Sequence, residues 1–328
     1  MSSESVVSYV GNFEPVHSTE CHLARTLEDD LGWKVLRLQE NRHDADAIYK
    51  ETLRSGARFL LYTRTWGFRG DGVAMLNNLH AQGIPSASYH LDLYWKIARQ
   101  STMHGDPFWS TKYCYTADGG SEDSFRLAGI NHHWLPPGVF RQECYFADPD
   151  PRFTCDVAFV GAMDEYHPEW LPYRKELRAK LTQWYGDRFR NFPGRGQPSI
   201  RNHDLNRLYA SVKVCVGDSL CPGFNHPRYW SDRLPETIGR GGFIIHPRID
   251  GIEQEYGGHV ELSDFNDWDA LKSKIDYYLA NEDERIRKRN AAREFVKANH
   301  TYTNRLRAML QHLGEREGWV DWPGRIAG

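Results

Sequence analysis

Short apolar, β-rich runs alternate with helical stretches through the first half of the chain, and such a βαβα alternation leaves few folds open. The runs at 5–10, 34–38, 57–63, 85–89 and 113–116 read as strands. The clearest intervening helix is 19–31, where Leu23, Ala24, Leu27 and Leu31 recur at helical spacing, His17, Ser18 and Thr19 offer caps, and Gly32 closes the end. Strands joined by helices pair in parallel, so the sheet is covered on both faces and its functional loops gather at the strands' carboxyl ends. After Trp134, L-P-P-G-V-F at 135–140 and A-D-P-D-P-R at 147–152 interrupt any continuous element. The alternation then restarts with strands at 155–160, 212–216 and 242–246 and helices near 169–185, 205–210 and 231–239, and 268–313 is mostly helical. The expected organisation is one α/β domain over 1–140, a linker over 141–154, a second α/β domain over 155–300 and a terminal segment over 301–328.

Composition narrows the function. A length of 328 residues favours two domains. Lysine plus arginine (41) against aspartate plus glutamate (44) leaves a net charge of −3, which excludes a strongly cationic DNA-coating role and leaves a local basic groove open. The six cysteines form no C-x-x-C pair and read as reduced thiols. The first apolar run, at 6–10, lacks a basic leader, and no run approaches the length of a membrane span. A cytoplasmic protein without membrane insertion is expected.

The richest segment is S-D-R-L-P-E-T-I-G-R-G-G-F-I-I-H at 231–246: capping residue, helix, glycine cluster, buried strand. Ser231 or Asp232 can cap a helix whose free N–H groups favour a phosphate, and Arg233 in the first turn adds a full positive charge. Glu236 falls on the same face, where a carboxylate can accept from two adjacent ribose hydroxyls. Phosphate and ribose are parts of one nucleotide. An ordinary capped helix with an Arg–Glu surface pair has the same spacing.

The block R-L-P-E-T-I-G-R-G-G-F-I-I resembles the donor-binding helix of nucleotide-sugar glycosyltransferases of GT-B architecture, especially the group typified by spore-maturation glycosyltransferases. D-V-A-F-V-G at 156–161, L-N-R-L-Y-A-S-V-K-V-C-V at 205–216 and H-T-Y-T-N-R at 300–305 match in the same order. The resemblance implies an α/β fold of two Rossmann-like domains facing a cleft, the nucleotide held by the C-terminal one, and a last helix, within 301–328, returning to the N-terminal domain. It places Glu236 at the ribose, Arg233 just before it, and Gly161 in the loop after the second domain's first strand. Related retaining families often carry a second glutamate eight residues before the first. Here that position is Arg228, suited instead to neutralising a diphosphate. The co-substrate implied is a nucleotide-sugar, UDP-sugar or GDP-sugar. The acceptor is left open between glycan, protein, small molecule and modified nucleic acid.

Arg195, in the glycine-rich loop 192–199, is the candidate beside the base. That loop lacks the G-K-[ST] ending of a P-loop, and no G-x-G-x-x-G follows the first strand. No metal is obligatory, since fixed cations can stabilise a departing diphosphate. The D-x-D pairs Asp44/Asp46 and Asp148/Asp150 read as structural. In the N-terminal half, Asp92 and His17 stand in loops after strands and can orient or deprotonate an acceptor hydroxyl. Trp66, Phe68, Tyr94, Trp95, Phe108 and Trp109 offer stacking surfaces or core packing. Two alternatives stand beside the transferase: a non-catalytic nucleotide-sugar-binding module, and a transferase acting on modified DNA bases, for which Arg64 and Arg69 flank Trp66 and Phe68. The charge run 282–293 reads as a solvated helical face, with Asp283 and Arg287 at pairing distance along it.

Overall fold

In a computed structural model, residues 5–63, 69–104, 106–162, 171–219 and 226–325 are described. The chain divides into two units, residues 1–136 with 302–328, and residues 137–301.

The first unit is built on a six-stranded parallel sheet: β1 (Val6–Gly11), β2 (Lys34–Gln39), β3 (Phe59–Tyr62), β4 (Ser86–His90), β5 (Tyr113–Thr116) and β6 (His132–Trp134), in the order β2-β1-β3-β4-β5-β6. Its helices start where small polar side chains take orphan N–H groups. Ser18 accepts from Cys21 N at the head of α1 (Thr19–Arg25), Asp44 from Ala47 N at α2 (Ala45–Ser55), and Asp71 from Ala74 N at α3 (Gly72–Ala81). The helix expected over 19–31 winds as α1 and then as a π-helical stretch, Thr26–Asp30, before Gly32 turns the chain at φ +71°. A short helix, α4 (Glu122–Leu127), precedes β6.

The second unit has a five-stranded parallel sheet: β7 (Cys155–Val160), β8 (Phe189–Phe192), β9 (Val212–Val216), β10 (Ile244–Pro247) and β11 (Glu261–Ser263), in the order β11-β10-β9-β7-β8. Helices α5 (Leu171–Tyr185), α6 (Asn202–Ser211), α7 (Arg233–Gly239), α8 (Ile252–Tyr256), α9 (Trp268–Ala280) and α10 (Glu282–Asn299) connect and cover it. Val157, Phe159, Val214, Val216, Phe243 and Ile245 form its core with Leu177 and Leu181 of α5 and Leu271 and Ile275 of α9. In both sheets the strand order reverses beside the first strand, between β1 and β3 and between β7 and β9, and ligands of such sheets bind outside the carboxyl ends at that point.

The stretch 141–154 is not a free linker; it belongs to the second unit. Asn206 Nδ2 donates to the carbonyls of Glu143 and Tyr145, Arg240 binds the Glu143 carboxylate, and Asp150 N donates to Ser211 Oγ. Its prolines stop regular structure without stopping packing. The last helix, α11 (Tyr302–Glu317), belongs to the first unit, where Tyr115 Oη meets His312 Nδ1 at 2.7 Å and Tyr113 Oη donates to Glu317 at 2.5 Å.

Candidate functional site

The switch point of the second sheet is occupied by charge. Asp218, two residues beyond β9 and 2 % exposed, is clamped from both sides: Arg174 Nε of α5 donates to Oδ2 at 2.6 Å and Arg233 Nη1 of α7 to Oδ1 at 2.5 Å. Arg174 Nη1 also donates to Ala162 O at 2.9 Å, just past β7. Both guanidiniums lie over the Phe159 ring, at 5.3 and 5.5 Å. Burial opposes the charge on Arg233, but Asp218 and Asp232 outweigh it and hold its pKa above the ordinary value. Two cations thus share one buried carboxylate at the place where such sheets receive ligands.

Two glycines make room for this cluster. A Cβ on Gly161 would stand 2.9 Å from Arg233 Nη2, and one on Gly217 would stand 2.9 Å from His246 Cδ2. His246, at the carboxyl end of β10, bonds the Pro247 carbonyl through Nδ1 at 2.8 Å. Its Nε2 is buried and makes no hydrogen bond among the described residues. Burial lowers its pKa to about 4, so the ring is neutral.

Glu236 lies one helical turn beyond Arg233. Its side chain is 23 % exposed, and no described residue donates a hydrogen bond to it. Its one ion pair is a long contact, 3.9 Å, with Arg240, which is itself held by Glu143 and by Asn206 Oδ1 at 2.7 Å. Burial therefore pushes Glu236 up to about 7, against the pull of Arg240, with Asp232 and Glu143 adding repulsion. A partly buried carboxylate with acceptor capacity that no described residue uses is the arrangement that a pair of ligand hydroxyls would complete.

The expectation of free N–H groups at the head of α7 is corrected. Arg233 N donates to Ser231 Oγ at 3.2 Å, Leu234 N to Ser231 O at 3.1 Å, Pro235 has no donor, and Glu236 N donates to Asp232 O at 3.0 Å. Ser231 thus consumes the donors it was expected to leave open, and the positive potential at this end comes from side chains. Arg228 is exposed, at φ +59°, with its N–H on Asp250 O at 2.7 Å and its stem against Gly251. Arg195 is exposed in the loop after β8. The fold gathers Gly161, Arg233 and Glu236 of the sequence reading and sets beside them Asp218, Arg174 and His246, which that reading did not name. A carboxylate directly after the apolar run V-K-V-C-V-G was the one signal for Asp218; Arg174 carried none.

In the first unit, His17 is exposed in the loop after β1 and has no partner among the described residues. Asp92, after β4, is held by Arg99 Nη1 at 2.6 Å. A residue the sequence reading passed over orders this second loop: buried Asp118 accepts through Oδ2 from the N–H groups of Tyr94 and Trp95 at 3.1 and 2.7 Å. Burial raises Asp118 to about 7, the two N–H bonds opposing it. Phe108 and Trp109 are buried in the core, and Tyr94 and Trp95 pack against Trp109 and Phe125. Arg64, Trp66 and Phe68 lie outside the described residues. Asp44 caps α2, and Asp150 is paired with Arg152 and Arg207.

Residues 168–311 match the family model for glycosyl transferase-like proteins. Solved structures share the fold across nearly the whole chain. A glycosyltransferase from Rickettsia africae is 12 % identical, with 97 % of this chain and 100 % of that one covered and a TM-score of 0.59. HepE of Anabaena, solved in complex with UDP-glucose, is 9 % identical, with 94 % and 99 % covered and a TM-score of 0.59. A trehalose-6-phosphate synthase studied for glycosyl transfer with retention is 11 % identical, with 94 % and 99 % covered and a TM-score of 0.57. No curated protein matches the chain by sequence. Among the described residues no helix is long and apolar enough to cross a membrane.

Proposed function

With a glycosyl transferase-like domain set in a GT-B fold as the premise, we propose that the chain transfers a sugar from a nucleotide diphosphate donor to an acceptor hydroxyl. The observation that carries the proposal is Glu236: a partly buried carboxylate that receives no hydrogen bond from the described residues, one turn from an arginine lying over Gly161 at the sheet's switch point. Glu236 accepts from the two ribose hydroxyls. Arg233 and Arg174 face the diphosphate, and neutral His246, whose one ring proton goes from Nδ1 to Pro247 O, leaves Nε2 as an acceptor for a hydroxyl of the donor. A UDP-sugar is the first donor to test, because HepE holds UDP-glucose.

In the transfer, the bond from the anomeric carbon to the β-phosphate oxygen breaks and the acceptor oxygen bonds to that carbon. Negative charge builds on the departing diphosphate, where the fixed guanidiniums stabilise it without reorganising, the service a divalent cation gives in other sites. The likeness to a trehalose-6-phosphate synthase favours retention. The departing phosphate oxygen then takes the acceptor's proton.

Calorimetric titration of the folded protein with uridine and guanosine diphosphates, then with their sugars, tests the reading. Saturable binding that is lost in Glu236→Ala supports it. No binding of any nucleoside diphosphate, or equal binding by the variant, overturns it.

A further inference from the structure

Helix α10 was expected to offer a solvated charged face, and the fold turns much of that charge inward. Arg285 is buried and donates through Nη1 to Tyr278 O at 2.6 Å. Arg289 and Arg293, one and two turns on, lie over the Phe146 ring at 4.9 and 4.2 Å. No ion pair forms between Asp283 and Arg287. Arg287, Lys288 and Arg289 instead line a cavity of about 200 Å³ whose wall includes Ile238 and Phe243.

The charge in this cavity is unbalanced. Its one lining carboxylate, Glu261, is taken by Lys288 Nζ at 2.5 Å and by Lys274 at 3.6 Å. Arg287 and Arg289 meet no carboxylate among the described residues; Arg289, over the Phe146 ring, donates to Asn290 Oδ1, at 3.2 Å from Nη2. Burial and the like charges of Arg285 and Arg293 lower the Arg289 pKa. Three cations against one carboxylate form a local excess of positive charge in a chain whose net charge is −3. The cavity is separate from the Asp218 cluster. Gly242 and Phe243 lead into β10 and Glu261 opens β11, so it lies at the amino edge of the sheet, whereas Gly161 and Asp218 follow the carboxyl ends of β7 and β9.

We infer that this cavity is a second anion site, one that takes a compact phosphomonoester: the phosphate between Arg287, Lys288 and Arg289, the organic body against Ile238 and Phe243. Guanidinium forks match phosphate oxygens in pairs, and the apolar wall gives a phosphate ester surface to bury that inorganic phosphate lacks.

Calorimetry at low salt tests this with three probes: a hexose 6-phosphate, inorganic phosphate and the unphosphorylated hexose. The hexose phosphate binds tightest, the neutral hexose does not bind, and R287Q/R289Q weakens the hexose phosphate by about tenfold or more. Glu236→Gln retains that binding, because its carboxylate belongs to the other edge of the sheet. Arg287 is exposed, so R287Q alone, with an unchanged circular dichroism spectrum, separates lost contact from lost fold and weakens binding severalfold. Wild-type affinity in both arginine variants overturns the inference, as does equal binding of the neutral hexose or the absence of hexose phosphate binding to the wild type.

Discussion

Replacing Glu236 with glutamine should stabilise the protein and cripple its donor site together. The side chain is 23 % exposed, accepts no hydrogen bond from the described residues, and is pushed by burial from the ordinary 4.5 up to about 7. The groups that face it are Arg240, Asp232, Glu143 and Arg201. Because the folded chain holds this proton more tightly than the unfolded chain, stability is greatest below about 4.5 and falls as pH climbs to about 7. Above that both states are ionised and the penalty is constant. At about 1.4 kcal/mol per factor of ten in the ionisation constant, the ionised folded chain carries a cost of about 3 kcal/mol. Glutamine removes that cost and adds about 1 kcal/mol for an unpaired buried amide. The net gain is about 2 kcal/mol above pH 7, vanishes near about pH 5 and turns into a loss of about 1 kcal/mol below that. Glutamine also loses the charge-assisted bonds to ribose, at about 1.5–3 kcal/mol, roughly a ten- to hundredfold drop in donor affinity. Urea unfolding of wild type and E236Q at pH 5 and pH 8 reads the first effect, and calorimetry with UDP-glucose the second. A stability difference that does not grow with pH would refute the burial reasoning. Undiminished nucleotide affinity would refute the placement of the site.

Asp218→Asn leaves the Arg174 and Arg233 guanidiniums buried against a neutral group and should cost the second unit about 3–5 kcal/mol in urea unfolding; a loss under about 1 kcal/mol would show that the cluster is solvated. Gly161→Ala puts a methyl group 2.9 Å from Arg233 Nη2 and forces that guanidinium aside. Donor binding should weaken about tenfold and the unfolding midpoint should fall, by less than in Asp218→Asn because Arg174 still holds Asp218; intact affinity would mean that Arg233 does not touch the donor. Asp118→Ala removes the acceptor of the Tyr94 and Trp95 N–H groups. Their hydrogen exchange should speed up by roughly tenfold or more while the β5 amides stay protected, and equal acceleration of both would mark a global loss of stability instead.

The strands that escaped sequence reading share one property. β6, β8 and β11 are edge strands of their sheets, and H-H-W, F-R-N-F and E-L-S lack the continuous apolar run of a strand enclosed on both sides. The central strands carry such runs because they are buried on both faces, so they were legible. Segment 141–154 was misread for the converse reason: prolines report where regular structure stops and say nothing of what an irregular stretch packs against.

Local order carried the α/β alternation, the cap Ser18, and the juxtaposition of Arg233 with Glu236, since each of these depends on residues within one or two turns of each other. What lies far apart in the chain was settled only by the packed sheet. It brought Arg174 and Arg233 onto Asp218 across 44 and 15 positions, spent the α7 N–H groups on Ser231 and Asp232, and turned α10 so that its arginines face a cavity. Helical and strand periods specify which face of an element is apolar, but the charge that meets a given charge depends on strand order and register. These are decided by burying all the apolar faces at once.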